Sequence, residues 1–133
     1  MVIDTSALMA ILLRELDATS ISVKIENSPQ RRISAVTYTE LQIVSTTKIP
    51  KLAFNVGRRL IEDLEIEVIP LSREQADLAA RAYDRFGKGI HPASLNFGDC
   101  FAYALAKALD APLLFKGTDF GRTDVQAVDI GAA

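Results

Sequence analysis

Met1-Val2-Ile3-Asp4-Thr5-Ser6-Ala7-Leu8 changes character at its fourth residue. Val2 and Ile3 are β-branched and apolar, which suits a short buried strand. From about Ala7 the residues Leu8, Ile11 and Leu12 fall at helical spacing. A buried strand that runs straight into a helix is the opening unit of an α/β layer. Asp4 then lies at the carboxyl end of that strand, where open parallel sheets carry their chemistry. The plain alternative is an N-cap, a role that Thr5 or Ser6 could fill equally well.

The same alternation continues outward. Asp17 is placed to cap a second helix bearing Ile21, Val23 and Ile25, and Arg32-Ile33-Ser34-Ala35 reads as a second strand. A helix follows from about Val36 to Lys48, stopped by Pro50, and another spans roughly Lys51 to Leu64. Glu65 to Pro70 alternates with period two, as a half-buried strand does. Ser72-Arg73-Glu74-Gln75 is a capping box whose helix runs to about Phe86. Gly87 to Ser94 forms the longest loop. Asn96 caps a helix from Phe97 to Leu109 whose only charges are Asp99 and Lys107, so layers should cover it on both sides. Pro112 to Lys116 reads as a buried strand and Val125 to Ile130 as a short last one. Strands alternating with helices predict one α/β domain over residues 1–133, with a mainly parallel central sheet flanked by helices.

Composition narrows the classes. The chain has 133 residues, 49% of them hydrophobic, with a net charge of −2. That is enough apolar material for a core without disulfides or a structural metal. The one cysteine, Cys100, suits a reducing cytosol and sits among Phe97, Phe101 and Ala104 as a small buried hydrophobe. The N-terminus carries no signal-peptide pattern, and no apolar run approaches the roughly 20 residues needed to cross a bilayer. A membrane partner is therefore not expected. The charge balance does not announce a nucleic-acid binder, although a local basic face can serve. Lys48, Lys51, Arg58 and Arg59 make one candidate strip, and Arg81, Arg85 and Lys88 another. For both, an ordinary solvated helix face is the simpler reading.

Four carboxylates stand out: Asp4, Glu40, Asp99 and Asp119. Glu40 shares a helix face with Val36, Ile43 and Val44, where an unpartnered carboxylate would be costly to bury. Asp99 lies in the first turn of its helix, where capping and the helix dipole also favour it. Asp119 follows the strand that ends near Lys116, and Asp124 competes for the same role. Lys116 itself could meet a phosphate or pair with an acid. Acids gathered in one pocket repel unless a cation neutralises them, and oxygen ligands alone favour Mg²⁺ or Mn²⁺. Competing chemistries lack their parts. His91 is the only histidine, Gly-x-Ser-x-Gly does not occur, and there is no zinc spacing and no Gly-rich phosphate loop.

These segments together resemble PIN-domain ribonucleases. The opening through Leu8 is similar to theirs, and Thr37-Tyr38-Thr39-Glu40-Leu41 resembles the family's helix with an inward Glu. Leu95-Asn96-Phe97-Gly98-Asp99-Cys100-Phe101-Ala102-Tyr103-Ala104-Leu105-Ala106 resembles its most distinctive segment, and Pro112 to Phe120 its closing motif. The likeness runs over the whole chain and is greatest to the VapC toxins of type II toxin–antitoxin pairs. It implies a Mg²⁺- or Mn²⁺-dependent endoribonuclease of the prokaryotic cytosol, a homodimer, and a VapB-like antitoxin that blocks the site. In that frame Asp4 and Asp99 hold the metal, Glu40 manages the attacking water, Asp119 completes the ring and Ser6 supports Asp4. Aliphatic residues on the early helices (Leu8, Ile11, Leu12, Leu13) suggest where a second copy packs. The alternatives are a receiver-like phosphoacceptor module and a non-catalytic PIN-like binding module. A receiver needs an acidic pair after the first strand and an acceptor Asp on a middle strand. This chain has Asp4-Thr5-Ser6, and no acid ends the Ile66–Leu71 stretch.

Overall fold

The computed structural model describes residues 1–49 and 55–131. Four parallel strands form one sheet in the order β3-β2-β1-β4. In chain order the elements are β1 (Val2–Ile3), α1 (Thr5–Leu12), α2 (Ala18–Glu26), β2 (Arg32–Ser34), α3 (Ala35–Lys48), α4 (Val56–Asp63), β3 (Glu67–Ile69), α5 (Arg73–Phe86), α6 (Phe97–Ala108) and β4 (Leu113–Leu114). The expected α/β layering with a parallel sheet is present. Val2 pairs with Arg32 on one side and Leu113 on the other, which fixes β1 at the centre of the sheet.

Apolar side chains collect on both faces of this small sheet. One cluster joins Val2 and Leu113 to α5 and α6 through Ala82, Phe86, Leu105 and Tyr103. The other joins Ile3, Ile33 and Leu114 to α1 and α2 through Leu8, Ile21 and Ile25. Alternation along β1 explains the split, because Val2 and Ile3 point to opposite faces. α6 is covered as its composition predicts, with Cys100 and Ala102 through Ala106 all buried. Cys100 is a buried free thiol.

Several boundaries move. α1 starts at Thr5 rather than Ala7, because Asp4 itself is the cap. β3 is three residues long, Glu67–Ile69, at the sheet edge. The segment expected as a last strand makes only one isolated bridge, Leu113 to Ala127, with Val128 N–H donating to the Leu113 carbonyl. Val125, Val128 and Ile130 pack against the core, but the backbone bonds to β4 run through Leu113 alone, which also donates to the Gln126 carbonyl. Lys51 and the first turn expected for α4 lie outside the described residues, and the helix is seen from Val56. Among the described residues no helix is long and apolar enough to cross a membrane.

Candidate active site

The carboxyl end of the sheet opens onto a cleft of about 600 Å³, lined by Asp4, Thr5 and Ser6 from the start of α1, Glu40 and Lys48 from α3, and Asp99 from α6. A smaller lobe of about 350 Å³ continues past Asp4 and Asp99 to Thr118 and Asp119. Four of the acids singled out in the sequence therefore share one depression.

Asp4 is 3% exposed. Its Oδ2 caps α1, accepting from Ser6 N–H at 3.0 Å and Ser6 O–H at 2.7 Å. Ser6 Oγ in turn accepts from the Lys116 N–H at 3.0 Å, which ties the end of β4 to the same carboxylate. Asp4 Oδ1 is buried and has no hydrogen-bond partner. Burial pushes this carboxyl above its ordinary range; the Ser6 hydrogen bonds oppose that shift and the Glu40 charge adds to it.

Asp99 is both a cap and a member of the cluster. Its N–H donates to Asn96 Oδ1 at 2.9 Å, and its Oδ2 accepts from Asn96 N–H at 3.0 Å, closing a capping box. Its carboxyl is raised to about 6, first by burial and then by the charges of Asp4, Glu40 and Asp119. The hydrogen bond from the Asn96 N–H opposes that shift without cancelling it.

Glu40 shares its face of α3 with Val36, Ile43 and Val44, as the spacing suggested, but that face is not the one the helix buries most. The helix buries Thr37, Leu41 and Ser45, not the Val36–Ile43–Val44 stripe. Ile43 is 60% exposed, and Val36, Glu40 and Ile43 instead line an open groove beside Phe97. The cause is α4, whose Gly57 brings its backbone against Leu41 and Ser45 and draws that narrow face inward. Glu40 Oε1 accepts from the Thr5 hydroxyl at 2.5 Å.

Asp119 and Asp124 separate clearly. Asp119 is exposed, begins the 3-10 turn Phe120–Arg122 and faces the lobe shared with Asp4 and Asp99. Asp124 faces away, accepting from the Tyr103 hydroxyl at 2.5 Å and pairing with Arg85 and Lys107, each at 3.2 Å. Lys116 Nζ pairs with Glu15 and Asp17; Asp17 stands at the N-cap of α2 as expected, but its carboxylate serves that lysine and makes no capping hydrogen bond. Of the basic strips, Arg58 bonds Glu62 and Arg85 bonds Asp124, both at the surface, whereas Lys48 borders the cleft.

Residues 1–126 match the PIN-domain family. The chain belongs to the PIN-domain family of VapC ribonucleases. It is 46% identical over 127 residues to the VapC ribonuclease Mb0625 of Mycobacterium bovis, covering 95% of this chain and 96% of that protein. Two solved structures share the fold. The Mycobacterium tuberculosis toxin VapC20, described as cleaving the sarcin-ricin loop, superposes with a TM-score of 0.75 at 14% identity, over 96% of this chain and 97% of the other. A toxin–antitoxin complex from Klebsiella pneumoniae gives 0.72 at 18%, over 99% and 98%. Membership removes the receiver-like alternative.

Two residues beside Glu40 were not singled out in the sequence: Thr5, which lines this PIN domain's cleft, and Gly98, which lines the groove next to it. A Cβ built on Gly98 would overlap the Glu40 carboxylate. A glycine in the first turn of a well-formed helix was the available signal, because glycine costs a helix about 0.5–1 kcal/mol relative to alanine.

Proposed function

We propose that this PIN domain is the endoribonuclease of a toxin–antitoxin pair and that Asp4, Glu40, Asp99 and Asp119 form its hydrolytic site. The observation that carries the assignment is the buried, unpartnered Asp4 Oδ1 in a cleft shared with the other acids. Orphaned buried oxygens are rare, and a cation answers both that vacancy and the mutual repulsion.

The donor set fits a hard divalent ion. Asp4 and Asp99 each commit one oxygen to a helix cap and keep the other. Among the described residues no three acid, His or Cys groups stand close enough to enclose an ion. Mg²⁺, which binds through one or two carboxylates and keeps several waters, suits such a site, and Mn²⁺ accepts the same oxygens. When bound, the ion supplies charge neutralisation at the phosphate and a more acidic water. Ser6 holds the Asp4 carboxylate in place through its paired hydrogen bonds. Glu40 orients the attacking water and takes its proton. Asp119 completes the acidic ring from the opposite lip. Lys48, which lines the cleft, offers a cation to an RNA backbone.

The partners follow from the same surface. An antitoxin segment carrying an Arg or Lys into the Asp4–Glu40–Asp99 cleft would pair with its carboxylates and exclude both ion and RNA. A second copy of the chain belongs on another face. Of the residues expected there, Leu8 is fully buried, Ile11 and Leu12 are half-buried and Leu13 is 42% exposed, so the early helices supply only part of the surplus expected of them. Phe97 at 74% exposed, Ile43 at 60%, Leu71 at 43% and Tyr83 at 42% offer an apolar surface on and beside α3, α5 and α6. The setting is the cytosol.

The test is RNA hydrolysis by the purified chain. Cleavage should require Mg²⁺ or Mn²⁺, stop with chelator, and fall when the cognate antitoxin is added. Cleavage undiminished in chelator would overturn the assignment.

A further inference from the structure

Glu40 is bonded at one oxygen and bounded at the other, by residues that contribute no charge to the cleft. On one side, the Thr5 hydroxyl donates to Oε1 at 2.5 Å. The same hydroxyl lies 3.5 Å from the Thr37 carbonyl. One proton cannot serve both well, and the shorter bond to a charged acceptor is much the stronger. Thr5 is 7% exposed, so solvent hardly competes for that proton. Its hydroxyl is also free of capping duty, because Asp4 caps α1.

On the other side stands Gly98. A Cβ at this position would overlap Glu40 Oε2 and crowd the rest of the carboxyl group. Gly98 lies in the first turn of α6 and is not among the positive-φ glycines, so its backbone does not require glycine. Space is what remains to explain it.

We propose that Thr5 and Gly98 form a two-sided clamp that fixes the Glu40 carboxylate toward the cleft, with Thr5 a positioning residue for the hydrolytic step. The clamp joins three helices at one point: α1 supplies the donor, α3 the carboxylate and α6 the wall. Thr5 adjoins Asp4 and Gly98 adjoins Asp99, so each part of the clamp is carried by the turn that also carries a metal-binding acid. Glu40 is therefore set relative to both acids by the backbone itself. The proposal rests on Glu40 acting at the water, as argued above.

The experiment compares Thr5→Val, Thr5→Ser, Gly98→Ala and Glu40→Gln by steady-state RNA cleavage, with folding checked by circular dichroism. Misplacing a reacting group by about 1 Å costs on the order of a hundredfold. Thr5→Val, which keeps the shape and loses the donor, should lower kcat about 10- to 100-fold with KM within about twofold. Thr5→Ser should recover activity to within about threefold. Gly98→Ala should reproduce the Thr5→Val defect. The double variant Thr5→Val/Gly98→Ala should be no worse than the poorer single one, because both act through one carboxylate.

A second readout needs no activity. In the metal-free protein the Thr5 hydroxyl proton should exchange slowly enough to give a proton NMR signal. Glu40→Gln should shift it upfield, because a neutral amide accepts more weakly than a carboxylate. The clamp is overturned by wild-type kcat in Thr5→Val, by a defect confined to KM, by failure of Thr5→Ser to rescue, or by a hydroxyl proton that is absent or indifferent to Glu40→Gln. Wild-type cleavage by Glu40→Gln would instead sink the role of Glu40 itself, and the clamp with it.

Discussion

Replacing Asp99 with Asn should stabilise the metal-free protein at neutral pH while removing its function. The carboxyl is raised from 3.8 to about 6, chiefly by burial and then by its acidic neighbours. At about 1.4 kcal/mol per pH unit this bounds the strain of the ionised group near ~3 kcal/mol. Part of the group faces solvent, and screening leaves about half of that, ~1.5 kcal/mol. Asn keeps an oxygen that can accept from Asn96 N–H, so the capping box survives. What is lost is the charge at the helix N-terminus, worth about 0.5 kcal/mol. The net gain is about 1 kcal/mol, or roughly 4 °C in Tm for a chain of this size.

The pH dependence gives the sign. A carboxyl raised on folding binds its proton more tightly in the folded state. Its contribution to stability is fully present below 3.8, declines as pH rises, and is lost above about 6. The variant has no such group. Its advantage should be absent near pH 4 and complete by about pH 7. Thermal unfolding in chelator across that range measures it. Saturating Mg²⁺ should reverse the order, because only the wild type gains binding energy. A metal-free Asp99→Asn protein that melts below wild type at pH 8, or a gap that ignores pH, would show capping to outweigh repulsion and refute the reasoning.

Three further outcomes follow from the geometry. Asp124→Asn should lose about 1 kcal/mol by weakening the contacts to Tyr103, Arg85 and Lys107; cleavage should stay near wild type, while Asp119→Asn loses most of it, and the reverse pattern in a cleavage assay would exchange the two residues' roles. Leu8→Ala should cost about 2–5 kcal/mol in denaturant unfolding, without changing the oligomeric state, because the side chain is fully buried within the chain. Ile43→Glu should leave stability within about 0.5 kcal/mol but shift the protein to monomer by light scattering at tens of micromolar; a wild type that is already monomeric there defeats the dimer proposal.

The grouping of the acids was more legible than the residues that support them. Asp4, Asp99 and Asp119 could be read because each stands at a junction of strand or loop with helix, and such junctions follow from local periodicity. Glu40 was found through a stripe that does share its face but lines the groove and the cleft while another face is buried. Which face α3 buries depends on Gly57 of α4, a neighbour that α3's own sequence does not reveal. The choice between Asp119 and Asp124 was similarly closed to local reading. It depends on Arg85 and Lys107 arriving from two other helices. Gly98 and Thr5 escaped notice because a glycine and a threonine acquire meaning only beside the carboxylate they hold. The segment Val125–Ile130 pairs only with Leu113 of the two-residue β4, and how far its partner strand extends is not written in the segment itself.

The central claim is that the Asp4 carboxylate, capped on one oxygen and unpartnered on the other, holds the ion that makes this cleft a ribonuclease site. The most direct measurement is RNA cleavage by Asp4→Asn beside wild type, in Mg²⁺ and in Mn²⁺, on protein of verified fold. Asn preserves the oxygen that caps α1 and removes the charge. The account predicts a loss of at least about a hundredfold in kcat, the scale of a lost essential group, with an unchanged circular dichroism spectrum. Cleavage by Asp4→Asn at the wild-type rate in either metal would contradict it.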